Sequence, residues 1–237
     1  MKIKKDLIFL VLMLILAGVF FHFSHQKNKG RVIENIQISF THLPRFLDTV
    51  LVNKLLTQNS IGKSVQWKDS LDLSMLEKQL NRISEIENAE VFILPQGQLS
   101  VSISERTPIL KIKSVPSFYA DASGVTFPFV EVDSIQLPVF ITDTIDASIK
   151  NTVLLIKRLN ADSFMKSELK TLSLEGVSYH LQLKSYPFEI VLGTVNKLKE
   201  KIEKLKVFCA FQNVQDSLND YQKINLTYTN QVVATTL

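Results

Sequence analysis

The chain has one cysteine, seven glycines and four histidines among 237 residues, and each scarcity excludes a kind of site. Cys209 alone can form neither an internal disulfide nor a thiolate metal site. Seven glycines leave little material for phosphate loops, and both phosphate-loop patterns are absent, as are G-x-S-x-G and H-E-x-x-H. The histidines lie in unrelated sequence contexts. We therefore expect no metal site, no cofactor and no small-molecule substrate.

Net charge is nearly absent from most of the chain. Residues 1–31 hold six Lys or Arg and one Asp, whereas the whole chain carries +4, which leaves a net of −1 for the remainder. Nucleic-acid binders present a basic surface, so this remainder argues against nucleic acid as a partner. The basic residues at the N-terminal end suit anionic lipid head groups instead.

A long apolar run begins at residue 7 and continues to residue 23 without a formal charge. As a helix at ~1.5 Å per residue it reaches about 25 Å, slightly short of a hydrocarbon core of about 30 Å. A cleaved signal peptide is the alternative, because Lys2, Lys4 and Lys5 form a basic leader. Bulky Phe20 and Phe21 lie where cleavage needs small residues. We therefore expect an uncleaved transmembrane helix at 7–23 in the lipid bilayer, after a cytoplasmic tail at 1–6 and before a linker at 24–31.

The orientation of this helix is less clearly encoded. Three basic residues precede the apolar run and three follow it, so the positive-inside bias is close to a tie. Export of a short tail that carries three lysines is less favourable than export of the domain that follows the anchor. We therefore expect the N-terminus in the cytoplasm and the C-terminal part on the other side of the membrane.

Residues 32–108 predict the element order β-α-α-β-β. Polar residues alternate with Ile36, Ile38 and Phe40, as in a half-buried strand. Apolar residues at helical spacing follow at 46–55 and again at 73–83, where Asp72 is a candidate N-cap. Two strands then flank the turn at 95–98. A three-stranded sheet backed by two helices would bury these faces.

Residues 109–237 predict a second domain, a mixed and mostly antiparallel sheet with flanking helices, so the fold class is α+β. Strand patterns lie at 109–113, 117–120, 138–141, 169–175, 178–184, 188–192 and 223–228. Helical patterns lie at about 146–160 and 195–211. Lys and Glu interleave along the second helix, which favours packing on the sheet over lying on a membrane surface.

Three patterns are compatible with catalysis. S-x-x-K occurs at Ser24/Lys27, Ser60/Lys63 and Ser163/Lys166, and Ser217-Leu218-Asn219 resembles an element of penicillin-recognising enzymes. Chance matches are unsurprising in a chain rich in Ser and Lys, and no K-T-G follows. Asp121 in D-A-S-G is a candidate acid, but Asp and Gly at this spacing are typical of a turn. We expect no enzymatic activity.

Four further motifs lie in order along the chain. Residues 86–109 contain two strands closed by E-R-T-P, and residues 118–128 read F-Y-A-D-A-S-G-V-T-F-P. Residues 137–143 read L-P-V-F-I-T-D, and residues 221–233 form a last strand and tail. In this order they resemble the FtsQ/DivIB family of bacterial cell-division proteins, in the style of its Bacteroidetes members. Asp143 stands where the family has glycine in L-P-x-x-x-G.

The resemblance implies both a fold and a role. Residues 32–108 would be a POTRA domain and residues 109–237 the FtsQ-type β domain. The protein would be a non-enzymatic scaffold of the divisome in the inner membrane at the division septum, with its C-terminal domain in the periplasm. It would bind FtsB- and FtsL-type septal proteins and other divisome proteins, and help recruit septal peptidoglycan synthesis.

The resemblance also implies a docking site, an exposed sheet edge to which a partner adds a strand. By position this edge comprises Lys223, Ile224, Asn225, Leu226, Thr227 and Tyr228. Tyr228 matches the family's aromatic residue and is either a binding hot spot or an ordinary sheet residue. Thr227 replaces an arginine frequent in proteobacterial members, so no salt bridge is carried over. The POTRA edge near residues 36–40 is a second candidate surface.

The main alternative function is a POTRA-containing component of envelope biogenesis or transport that binds unfolded clients. Outer-membrane proteins of that kind usually carry several POTRA repeats and a long barrel of amphipathic strands. One such unit behind a helical anchor favours the division scaffold.

Overall fold

The computed structural model describes residues 2–29, 35–47, 50, 52, 54, 71–131, 136–146, 148–215 and 221–236. The chain forms two compact units, Met1–Glu105 and Arg106–Leu237. Each unit contains its own β-sheet together with helices, so the predicted α+β class is confirmed.

The first helix, α1, runs from Lys2 to Lys29. Its segment Leu7–Gln26 has a mean hydropathy of 2.6, is long and apolar enough to cross a membrane, and is not buried by the rest of the protein. The segment predicted as a linker is helical as far as Lys29. The ring of His25 in this segment stacks on the ring of Phe21, with centroids 6.2 Å apart. An apolar helix that the described part of the chain leaves exposed is compatible with a single membrane span.

The smaller sheet has three strands in the order β1-β3-β2, with β1 parallel and β2 antiparallel to β3. Its elements are β1 (Ile36–Phe40), α2 (Leu73–Leu80), β2 (Ile86–Ile93) and β3 (Leu99–Glu105). Asp72 caps α2 as predicted, because its side chain accepts a hydrogen bond from the Met75 amide. Half of the predicted helix at 46–55 lies outside the described residues, and Val50, Val52 and Lys54 have helical backbone.

One edge of the smaller sheet is covered by side chains of α2 and of the residue that follows it. The Ala89 amide donates to Oδ1 of Asn81 at 2.9 Å, and the Val91 amide donates to Oε1 of Glu77 at 3.0 Å. Both amides belong to β2, whose other side pairs with β3. These two donors are therefore satisfied without another strand.

Glu105, the acidic residue of the E-R-T-P motif, binds three consecutive backbone amides of the same unit. Its carboxylate accepts hydrogen bonds from Arg45 at 2.8 Å, Phe46 at 3.2 Å and Leu47 at 2.7 Å. A carboxylate that accepts several backbone N–H groups stabilises an otherwise unpaired turn of chain. The motif residue thus has a structural function at the end of β3.

The larger sheet has nine strands in the order β12-β11-β10-β9-β8-β7-β4-β5-β6. Its strands are β4 (Pro108–Lys113), β5 (Phe118–Asp121), β6 (Thr126–Pro128), β7 (Val139–Ile141), β8 (Leu169–Glu175), β9 (Ser178–Leu183), β10 (Glu189–Gly193), β11 (Tyr221–Asn225) and β12 (Val233–Thr236). The helices of this unit are α3 (Ser148–Leu159), α4 (Ser163–Glu168) and α5 (Leu198–Gln215). Neighbouring strands pair both parallel and antiparallel, with antiparallel pairs in the majority, so the predicted mixed sheet is confirmed.

A single row of apolar residues crosses seven strands of this sheet. Each member is paired in register with the next, in the order Ile112, Phe140, Leu172, Leu181, Ile190, Ile224 and Ala234. The first six are almost fully buried in one core, together with residues of α3 and α5, and Ala234 packs against that core. The helices therefore cover the face of the sheet to which this row points.

Truncation of Phe140 tests this packing. Phe140 is 1% exposed, whereas its neighbour Ile141 points to the other face and is 45% exposed. We expect Phe140→Ala to lower the free energy of unfolding of this unit by about 3–5 kcal/mol through lost burial and a residual cavity. Hydrogen exchange of the sheet amides would measure the change.

The matched control is Ile141→Ala in the same strand, for which we expect a change within about 0.5 kcal/mol. Equal losses of protection in the two variants would contradict the assignment of faces.

A buried ion pair joins two of the sequence motifs at the start of this unit. Nη1 of Arg106 lies 2.7 Å from Oδ2 of Asp121, and both side chains are largely buried. Oδ1 of Asp121 accepts hydrogen bonds from the amides of Ser123 and Val125, each at 2.8 Å. Asp121 therefore has the turn function that its D-A-S-G context indicates, with both oxygens engaged.

Removal of Arg106 leaves the carboxylate of Asp121 buried without its cation. We expect Arg106→Ala to destabilise the unit by about 3 kcal/mol, because an unpaired buried charge is costly. The exposed pair Lys197–Glu200 supplies the control: Lys197→Ala should change stability by less than about 0.5 kcal/mol. Similar rates of amide hydrogen exchange in both variants would show that the Arg106–Asp121 ion pair contributes little to the stability of the unit.

Candidate partner-binding edge

The last two strands place one edge of the larger sheet at β12, and β6 lies at the opposite edge. Strand β11 pairs in parallel with β10 on one side and antiparallel with β12 on the other. Within the described part of the chain, the outer side of β12 pairs with no strand. Lys223, Ile224 and Asn225 thus lie in an interior strand, and their predicted position at an edge is wrong. The four residues of β12 that cover them are too few to show a clear alternation in the sequence.

The other three predicted edge residues lie beyond the end of β11. The buried Leu226 still donates its amide to the carbonyl of Val191 at 2.9 Å. Oδ1 of Asn225 then accepts hydrogen bonds from the amide of Thr227 at 2.9 Å and its hydroxyl at 2.7 Å. Such a side-chain turn ends a strand. Tyr228 follows, 49% exposed and outside any strand, so it is not a residue within the sheet.

Lys204 of α5 holds the chain between β11 and β12. Its ammonium group donates to the carbonyl oxygen of Tyr228, and it lies 3.4 Å from the carbonyl oxygens of Leu226 and Thr229. An ammonium group has three donors and no acceptor, so it suits a turn that presents several carbonyls. This contact fixes the path of the chain into the open edge strand.

A second lysine of α5 is buried one turn earlier. Nζ of Lys201 donates to the carbonyls of Leu192 at 2.8 Å and Thr194 at 2.7 Å. Burial, together with the charge of Lys204, lowers the pKa of Lys201. Gly193 lies between these carbonyls with φ +71°, and a Cβ there would approach the Thr227 methyl group to 2.6 Å. Glycine is therefore required where β10 meets the turn.

An apolar groove of about 460 Å³ lies beside the open edge, between α5 and residues 230–232. Val207, Phe208 and Phe211 line its helical wall, and Val232 lines the opposite wall directly before β12. Val207, Phe211 and Val214 are exposed and fall at i, i+4 and i+7, so they form one stripe along the helix. An exposed stripe of large apolar residues is typical of a surface that a partner covers.

On the face opposite the helices, a group of charged side chains crosses four strands. Nδ1 of His180 lies 2.6 Å from Oε1 of Glu189, and Oε2 of Glu189 lies 3.1 Å from Nζ of Lys223. Nε2 of His180 faces Oε2 of Glu175 at 3.6 Å. The hydrogen bond from His180, followed by the contact with Lys223, lowers the pKa of Glu189 although burial opposes it. Sequence reasoning missed this cluster, because its members come from different strands and have no common spacing.

The catalytic candidates do not converge in the described residues. Asp121 is engaged by Arg106 and two amides, as described above. Ser163 and Lys166 lie on the short helix α4 with both side chains exposed. The remaining S-x-x-K pairs and Ser217–Asn219 fall wholly or partly outside the described side chains.

Comparison with known families decides the assignment. The model of the family "FtsQ/DivIB, C-terminal related" matches residues 107–235, which is more than half of the chain. The chain belongs to this family. Membership in the FtsQ/DivIB family gives the protein a role in cell division. The matched region includes β11, the turn after it and β12 as far as Thr235. None of the curated proteins compared with the chain matches it.

The single cysteine of this FtsQ/DivIB family member, Cys209, allows core packing to be tested by alkylation. Burial is the main cause that raises the pKa of the Cys209 thiol to about 12. The thiol is therefore protonated at pH 8 and inaccessible, and we expect iodoacetamide to leave the folded protein unmodified. Denaturant should restore rapid alkylation, as measured by mass spectrometry. Fast modification without denaturant would contradict the packing of α5 on the sheet.

Proposed function

We propose that this protein is a non-enzymatic, single-pass membrane scaffold of the divisome. It binds FtsB- and FtsL-type partners by β-strand addition and helps to recruit the machinery of septal peptidoglycan synthesis. Membership in the FtsQ/DivIB family supports the division role. The observation that carries the proposed mechanism is the outer side of β12, which lacks a strand partner in the described residues.

Two features of β12 favour docking of an extended segment. An open strand offers unpaired N–H and C=O groups in a row, which an added strand satisfies in register. Val233 and Thr235 point away from the core and are exposed, so they would provide side-chain contacts on one face. Main-chain pairing would supply affinity, and these alternate side chains would supply specificity.

The apolar groove beside β12 extends this surface. Phe211 and Val207 remain exposed on α5 at the wall of the groove, and Tyr228 is half exposed in the turn that Lys204 holds. A partner that pairs with β12 and continues past its end would bury these side chains. Aromatic residues at the centre of such a contact are frequent hot spots, so Tyr228 keeps its proposed role from a position in the turn.

The N-terminal part would contribute a membrane anchor and a second domain to the proposed scaffold. Helix α1 would anchor the protein in the inner membrane, with the N-terminus in the cytoplasm and both sheets in the periplasm at the septum. The smaller unit would be a POTRA domain, for which the strand order β1-β3-β2 and the helix before β2 give support. Because Asn81 and Glu77 occupy amides at the edge of β2, the second docking surface would be β1.

A pair of proline variants in β12 tests strand addition. Adjacent residues of a strand direct their N–H groups to opposite sides, and proline removes this donor. One of Ala234→Pro and Thr235→Pro therefore removes a donor from the open side and spares the pairing with β11. We expect that variant to remain folded and to lose at least tenfold of the FtsB- and FtsL-type proteins in a crosslinked pull-down from membranes.

Two controls make the result interpretable. Retained protection of Cys209 from alkylation shows that the core of the proline variant is intact. As a second control, Val130→Ala alters an exposed apolar residue outside the proposed site and should leave recovery of the septal proteins unchanged. Equal recovery of septal proteins by wild type and both folded proline variants would overturn docking at β12. Recovery of unfolded envelope clients without any division protein would favour the biogenesis function instead.

A further inference from the structure

The cluster of Glu175, His180 and Glu189 is separate from the proposed docking edge and has donors suited to a metal ion. One ligand atom from each residue lies within 4.8 Å of the others. His180 is 8% exposed, whereas the Glu175 side chain is 70% exposed. The cluster therefore has a buried histidine and is open to solvent on the side of Glu175. Imidazole nitrogen and carboxylate oxygen are ligands that zinc uses in proteins.

The two nitrogens of His180 have different surroundings. Nδ1 is 2.6 Å from Oε1 of Glu189, a short hydrogen bond to a carboxylate. If Nδ1 carries the proton of this bond, Nε2 presents its lone pair. In metal-binding histidines the ring nitrogen that does not bind the metal usually donates a hydrogen bond to a carboxylate or another acceptor. This hydrogen bond fixes the tautomer and orients the ring.

The gap between Nε2 of His180 and Oε2 of Glu175 has the width of a cation site. At 3.6 Å it exceeds the usual range of a hydrogen bond. Two donors bound to one tetrahedral zinc at ~2.0–2.1 Å lie about 3.3 Å apart. A small relaxation of the exposed Glu175 side chain would therefore bring both atoms into coordination.

The neighbouring charges allow an added cation. Glu189 divides its oxygens, since Oε1 faces His180 and Oε2 lies 3.1 Å from the ammonium group of Lys223. Lys223 thus neutralises the supporting carboxylate, so in the neutral-imidazole form the charge of Glu175 has no compensating cation among these four side chains. With a neutral imidazole, the four side chains carry a net charge of −1.

We infer that His180 Nε2 and the Glu175 carboxylate bind a divalent cation of the zinc class, with Glu189 as the residue that positions the imidazole. Water would complete the coordination shell on the exposed side. The inference revises the expectation of no metal site, which rested on sequence spacing alone. It goes beyond the division role and does not depend on docking at β12.

Zinc titration of the full-length chain tests the site. The protein would be held in lipid nanodiscs, purified with a tag that lacks histidine, and titrated with Zn²⁺ by isothermal calorimetry. We expect Glu175→Gln to weaken binding at this site at least tenfold. The matched control Glu200→Gln alters a glutamate of similar exposure, and we expect it to bind as wild type does.

A nuclear magnetic resonance measurement identifies the ligand atom and does not rely on a variant. In protein with ¹⁵N-labelled histidine, Zn²⁺ should shift the Nε2 resonance of His180 while Nδ1 stays protonated. Weaker binding in Glu175→Gln together with this shift supports the site. Unchanged affinity in Glu175→Gln, or an Nε2 resonance that does not respond to Zn²⁺, would overturn it and assign any binding to the other histidines.

Discussion

The in-register apolar row of the larger sheet determines much of the remaining structure. Successive side chains of a strand point to opposite faces, so a shift of one residue would expose the whole row. With Leu181, Ile190 and Ile224 directed at the helices, the residues next to them must point the other way. His180 and Glu189 therefore meet on the outer face as a consequence of core packing. The charged cluster and the outward side chains of β12 share this origin.

Helix α5 serves three surfaces at once, which explains its composition. Ile202 and Leu205 are buried against the sheet, and Lys201 and Lys204 donate to backbone carbonyls at the ends of β10 and β11. Phe211 is exposed toward the groove. A helix with only one packed face would show a single apolar stripe. In α5, apolar residues occur on two sides of the helix. The sequence alone therefore does not show which of them are exposed, and the packing against the sheet is needed to identify them.

Sequence patterns predicted most elements of the larger unit. Strand β8 lies where it was predicted, helices α3 and α5 were anticipated within a few residues, and the short strands β5 and β7 lie within one residue of their predicted positions. The short strands β6 and β12 and the short helix α4 were absent from the predicted strand and helix patterns, because three to six residues give a weak periodic signal. Lys223 was assigned to an edge by its position in the family resemblance, and no pattern in the sequence predicted that β12 would cover it. The cluster around His180 could not be foreseen, since strand register, which brings its members together, is a tertiary property.

The covered edge of β2 has a consequence for self-association. Runaway stacking of chains through β-sheets requires two free edges on every unit, one to receive a strand and one to offer the next position. Asn81 and Glu77 occupy two amides on one side of the smaller sheet, so among the described strands β1 is the edge more open to pairing. Two copies that paired through their β1 strands would leave only the obstructed β2 sides facing outward. This asymmetry would oppose open-ended stacking of copies through the smaller sheet.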